Sequence, residues 1–277
     1  MRYVDRKALR HDGPRVAALL VLALLTFFPF VFMLTTSFKD NEQFFHSYVE
    51  PTFPLHPENY LSAWIAVSPY LTNSLLVTAA TSAAVVTLSC LSAFVFARHA
   101  FPGKELLYYA VISLLMVPWI LTLVPQFIIV RDLKMLNTYW GYVLPYTSGG
   151  QVFAIFVLRN FFQALPEEIF EAARIDGASE WRILRSVVVP LSYPILVTIV
   201  ILETLGVWND IIWSTIVATQ DQVRTVPAGL VTFTQASQTL YGPLFAGYVL
   251  ASLPLIVLFV FTMRQFVAGL TSGALKG

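Results

Sequence analysis

Charge is rare in this sequence, and where it gathers it forms two patterns that could do chemistry. The first is Glu171-Ala172-Ala173-Arg174-Ile175-Asp176-Gly177, followed by Pro190, inside a charged stretch at 159–185. The small alanines there let a second protein surface approach closely. Glu171, Arg174 and Asp176 supply charges at the rim of such a contact. The second pattern is a pair of lone carboxylates, Glu203 and Asp210, whose spacing places them on one face of a helix. An ionisable group at the centre of a membrane costs about 2.5–3.5 kcal/mol on insertion scales and is a functional candidate by default. Asp210, flanked by Trp208 and Trp213, fits an outer membrane interface where aromatic side chains collect. Glu203 stays open.

Other chemistries find little support. His11, His46, His56 and His99 all lie away from the middle of the apolar runs, so a relay of buried titrating groups is not evident. The single cysteine, Cys90, cannot form an internal disulfide and reads as a small packing residue. The chain has no GxxxxGK[ST] phosphate loop, and no catalytic, cofactor-binding or metal site is expected here. A net charge of +1 gives no reason to expect nucleic acid as a partner.

The elements that must position these groups follow from composition. The sequence is 57% hydrophobic and 12% charged, against roughly 25% charged in soluble domains. Apolar runs with few or no charges at about 16–36, 70–97, 106–130, 139–160, 187–213 and 242–264 each approach or exceed the roughly 20 residues a membrane helix needs. Barrel strands are shorter and alternate in polarity, so an all-α membrane protein with six transmembrane helices is expected, as one transmembrane domain over 1–277. The first run, preceded by a basic stretch at 1–15, reads as an uncleaved span rather than a signal. With the N-terminus cytoplasmic, 13 of the 17 Lys and Arg fall inside, which predicts both termini in the cytoplasm. Pro118 and Pro125 should interrupt the third span, and Pro145 with Gly149-Gly150 the fourth, because proline removes a backbone donor. Such breaks are tolerated where backbone lines a water-filled path. The segment at 37–69 reads as an ordered cap on the outer face.

Within the loop at 161–186, Pro166-Glu167-Glu168 predicts a helix start, with acidic residues favouring the helix dipole. Gly177 predicts a left-handed terminator, and Ser179 a cap for a second short helix. Seen alone, this loop could be an amphipathic helix resting on lipid headgroups, anchored by Phe170 and Trp181.

Glu-Ala-Ala, three residues, Gly, then Val187-Val188-Val189-Pro190 resembles the cytoplasmic loop signature of binding-protein-dependent ABC importer permeases. That family more often has Ile and Leu in the closing part. Leu136-Asn137-Thr138-Tyr139, Leu158-Arg159-Asn160-Phe161-Phe162, Ile175-Asp176-Gly177-Ala178, Trp208-Asn209-Asp210 and the tail from Phe266 to Gly277 extend the likeness to the maltose-type carbohydrate-uptake branch. The resemblance implies that Glu171, Ala172, Ala173, Arg174, Asp176 and Gly177 form a coupling helix seated in a cytoplasmic ATPase. It implies two copies of that ATPase, which bind ATP and Mg, together with a second permease subunit and an extracytoplasmic solute-binding protein. The expected location is the cytoplasmic (inner) membrane of a prokaryote. The tail from Gly269 to Gly277 is expected to reach the ATPase interface. For a sugar cargo, uncharged hydrogen-bonding groups and aromatic faces should line the path. Asn73, Thr78, Trp119, Thr122, Gln126, Tyr146 and Gln151 are available, of which Asn73 and Gln126, with Glu203, are kept as path candidates. A polyol or glycerol-phosphate-type cargo is the neighbouring reading. An ATPase-independent secondary carrier or channel, and a docking protein that transports nothing, are the more distant ones.

Overall fold

The computed structural model describes residues 6–236 and 240–274, with side chains described from 13 to 234 and from 240 to 266. Every regular element among these residues is helical. The first six α-helices are α1 (Arg6–Thr36), α2 (Asn41–His46), α3 (Glu58–Arg98), α4 (Lys104–Ser113), α5 (Trp119–Asp132) and α6 (Trp140–Gln163). The charged loop holds α7 (Glu167–Ile175) and α8 (Glu180–Ile183). Beyond it come α9 (Val189–Leu191), α10 (Tyr193–Asn209), α11 (Ile211–Val217), α12 (Val226–Ala236) and α13 (Tyr241–Ala274). For the glycine-rich tail, the side chains of 267–274 and all of 275–277 lie outside the described residues.

Among the described residues, four helices are long and apolar enough to cross a membrane: Gly13–Thr36, Glu58–Arg98, Trp140–Gln163 and Tyr241–Phe266. Two bent pairs raise the number to 6 if each is one span. They are Lys104–Met116 with Trp119–Asp132, bent by 101°, and Glu180–Leu191 with Tyr193–Asn209, bent by 78°.

The chain forms two compact units, residues 1–67 with 232–252, and residues 68–231 with 253–277. In the first, α1 carries exposed Leu19, Leu24, Leu25 and Phe27, as a helix surrounded by hydrocarbon should. The segment after it is ordered by local chemistry. Asp40 and Gln43 form a reciprocal capping box on α2. The fully buried Lys39 donates to the Ser47 and Tyr48 carbonyls, and Asn59 donates to the carbonyls of Ser37 and Lys39. Phe44 stacks on Tyr241 at 4.1 Å.

The second unit is built around α6. Leu158 and Phe162 on α6, Phe94 on α3, and Phe170, Ile183 and Val188 beyond α6 bury together in one cluster. The helix breaks fall partly elsewhere than proline counting predicts. The third run does break at Pro118: Val117 is pushed to extended backbone, as a residue before proline prefers, and α5 restarts at Trp119. Pro125 stays inside α5. The fourth run does not break at all, and α6 passes through Pro145, Gly149 and Gly150. Pro145 cannot donate to the Gly141 carbonyl one turn back. The buried Trp213 indole N–H takes that place, at 3.0 Å.

The fifth run, expected to be continuous to Trp213, is divided twice. It bends at Ser192 between Pro190 and Pro194, after a π-helical turn at Leu184–Val188. It then stops at Asn209, where the Asp210 carboxylate accepts the Trp213 N–H at 3.0 Å and starts α11. Glu203 and Asp210 therefore do not share one uninterrupted helix.

Candidate functional site

The charged loop is a self-contained helix, turn, helix. Pro166 precedes α7, whose first turn carries Glu167 and Glu168 against the positive end of the helix dipole. At the other end Gly177 has φ +74°, its N–H donates to the Arg174 carbonyl, and the Ala178 N–H reaches back to Ala173, both at 3.0 Å. These two bonds make a complete Schellman terminator, which satisfies carbonyls a helix end otherwise leaves open. The Ser179 hydroxyl then accepts from the Arg182 N–H and starts α8.

Burial divides α7 sharply. Phe170 is 0% exposed, inside the cluster of Phe94, Leu158, Phe162 and Ile183, and Ala173 packs against it. Phe170 therefore cannot anchor the loop in headgroups. Glu171, Ala172, Arg174, Asp176 and Gly177 are exposed, and so are Ile175 (85%) and Trp181 (60%). Arg174 is more than a rim charge: it bridges Glu167 at 3.4 Å and Glu180 at 3.3 Å, bracing α7 against α8. Sequence reasoning did not select Ile175. Its signal is a large apolar residue out of helical phase with the buried Phe170, on a face otherwise polar.

Two arginines hold this end together, and neither was singled out as a site from sequence. Arg98, the last residue of α3, donates to the Phe162 and Leu165 carbonyls at 2.5 and 2.7 Å and to the Glu167 carboxylate at 2.5 Å. Its guanidinium also lies 3.8 Å from the centre of the Phe170 ring. Arg159 on α6 grips both oxygens of Glu105 on α4 and lies 3.6 Å over the Tyr108 ring. Such charge-assisted, ring-stacked contacts suit a planar guanidinium.

A cavity of about 1040 Å³ opens where the second unit's helices break. Pro118, Trp119, Gln126, Tyr146, Glu203 and Asp210 are in its wall. Gly150 lies directly against Glu203, so that a Cβ there would overlap the carboxylate. Among the described residues lining the cavity none is Lys, Arg or His. The structure thus brings Glu203 and Gln126 into one wall, with Trp119, Thr122 and Tyr146. Asn73 is not in that wall. Its side-chain amide donates to the Gln222 and Arg224 carbonyls at 2.9 and 2.8 Å and accepts the Tyr139 hydroxyl at 2.8 Å. Asn137, one residue of the Leu-Asn-Thr-Tyr motif, sits at φ +58° and accepts N–H groups from Thr219 and Gln220. That motif fastens a loop. No group of three or more His, Cys, Asp and Glu residues able to hold a metal stands among the described residues.

The profile of a family described as the binding-protein-dependent transport system inner membrane component matches residues 86–272. The chain belongs to that family. The match spans Arg98, the whole charged loop and every cavity residue named above, and leaves Asn73 outside. Within the family, the chain is 36% identical over 252 residues to the probable ABC transporter permease protein YurM of Bacillus subtilis strain 168, covering 90% of this chain and 84% of that one. It is 36% identical over 212 residues to the trehalose transport system permease protein SugB of Mycobacterium tuberculosis strain CDC 1551 / Oshkosh, covering 76% and 77%. Its fold is similar to a chain from the crystal structure of a bacterial ABC transporter that imports the acidic polysaccharide alginate. There the TM-score is 0.82 at 20% identity, covering 96% of this chain and 100% of that one.

Proposed function

We propose that this chain is a permease subunit of an ATP-driven importer that moves a sugar or sugar-like solute across the cytoplasmic membrane. Six spans, with each bent pair counted as one, and both termini in the cytoplasm agree with the bias of Lys and Arg towards that side. The exposed face of α7, with Glu171, Ala172, Ile175 and Asp176, docks on a separate ATPase that holds ATP and Mg. Two such ATPases, a second permease and an extracytoplasmic solute-binding protein complete the assembly.

The observation that carries this reading is the charged loop. It is folded by its own caps and anchored by Phe170, yet leaves Ile175 and Trp181 bare, as a preformed contact face does. The cavity supports the cargo class. Trp119 and Tyr146 offer rings, and Thr122 and Gln126 offer uncharged polar groups. Glu203 and Asp210, with no cation beside them in the wall, accept hydroxyl hydrogens and disfavour an anionic solute.

Co-purification of the tagged chain in mild detergent tests the reading. A stoichiometric ATPase pair and a second permease are expected, and Glu171→Lys should release the ATPase while leaving the chain in the membrane. A chain that purifies alone under conditions that preserve such assemblies would exclude ATP-driven import.

A further inference from the structure

Between residues 73 and 98, α3 contains neither glycine nor proline, and at 1.5 Å per residue that stretch is about 38 Å long. Each end grips a different loop of the second unit. At one end Arg98 is held from several sides, by the Glu167 carboxylate, the Phe162 and Leu165 carbonyls and the Phe170 ring, with only 9% of its side chain exposed. At the other end Asn73 uses both amide donors and its oxygen on Gln222, Arg224 and Tyr139, and the Ser74 hydroxyl accepts the Val226 N–H at 2.8 Å.

We propose that α3 is a push-rod: Arg98 couples it to the charged loop, Asn73 couples it to the loop around Gln222–Arg224, and a displacement of α7 is carried along it to that distant loop. Arg98 and Asn73 are then positioning residues for transport rather than groups that touch solute. The inference rests on the importer reading above, which supplies the force on α7. The chemistry favours a rigid link at both ends. A guanidinium fork fixes direction as well as charge, whereas a lysine's three donors sit on one atom with no planar face to lie against the Phe170 ring. The Asn73 amide has its two N–H groups on two carbonyls of one loop, so that loop must follow α3 or lose both bonds.

The test uses the full assembly in proteoliposomes, with solute uptake and ATP hydrolysis measured together on wild type, Arg98→Ala, Arg98→Lys, Asn73→Ala and the Arg98→Ala/Asn73→Ala double variant. The solute is drawn from a panel of labelled neutral disaccharides, starting with trehalose. Uptake per ATP hydrolysed should fall roughly tenfold in Arg98→Ala and in Asn73→Ala while hydrolysis itself continues. The double variant should be no worse than the poorer single one, because one rod is broken once. Losses that multiply in the double variant, or full recovery of coupling in Arg98→Lys, would overturn the rod. Should Arg98→Ala fail to assemble, Ala80→Gly/Ala83→Gly softens the exposed middle of α3 with both grips intact. That variant should uncouple as well, and a normal uptake ratio from it would equally overturn the proposal. A wild-type assembly that shows no ATP-driven uptake removes the importer reading itself, a result distinct from wild type coupling normally while the variants do too.

Discussion

Two regions of the second unit, the charged loop and the cavity, are built on opposite rules. At the charged loop, helix ends are closed by a Schellman turn and a serine cap, and the two arginines spread their charge over carboxylates, carbonyls and rings. At the cavity, helices break at Pro118 and Asn209, Gly150 stands where a Cβ would overlap Glu203, and two carboxylates share a wall whose described lining holds no cation. Charge-assisted networks that cross several elements rigidify them, and broken helices leave room for something to enter. On the proposed reading, the loop receives force without yielding and the cavity changes what it encloses.

That contrast can be broken most completely at Gly177. Gly177→Val forces a β-branched residue to φ +74° and should abolish both ATPase association and uptake while insertion stands. Co-purification and uptake check it, and a variant that still carries its ATPase would mean the turn is not needed. Phe170→Ala should come next, losing about 3–5 kcal/mol of local packing. Hydrogen exchange over 166–188 should rise in that variant, and unchanged protection would show that the loop is not anchored by the ring.

At the cavity, Gly150→Leu should drive a side chain into the Glu203 carboxylate and lower uptake about tenfold, with ATPase association intact. A loss of association in that variant would deny that the two regions are separable. The smallest effect is expected from Trp213→Phe, which removes one indole bond to the Gly141 carbonyl and should cost about 1 kcal/mol. Faster exchange of α6 amides near Pro145 is the signature to seek, and no change would mean that another donor fills the gap.

How legible each region is in the sequence follows from how far its interactions reach. Pro166, Gly177 and Ser179 act on backbone within a few residues, so the start, turn and restart of the loop can be read directly. The long apolar runs announce membrane helices by composition alone. The continuity of α6 could not be read, because the missing Pro145 donor is replaced by Trp213 from a distant part of the chain. The break at Asp210 was hidden for a related reason. Its carboxylate acts as a helix cap, and spacing along a presumed helix treats it only as a charge. Arg98 looks like one more basic residue at a span end until Phe162, Leu165, Glu167 and Phe170 are brought around it.

The Schellman turn at Gly177 has one more consequence. A segment that closes its own helix ends is ordered before any partner arrives, so binding to it does not have to supply the entropy of folding it. Attachment can then be a meeting of two rigid surfaces, fast to form and small in heat-capacity change beyond the area covered. It also makes the loop portable. A short segment closed by its own caps, and seated through one buried ring, can keep that shape while the cavity-lining stretches diverge to suit other cargoes.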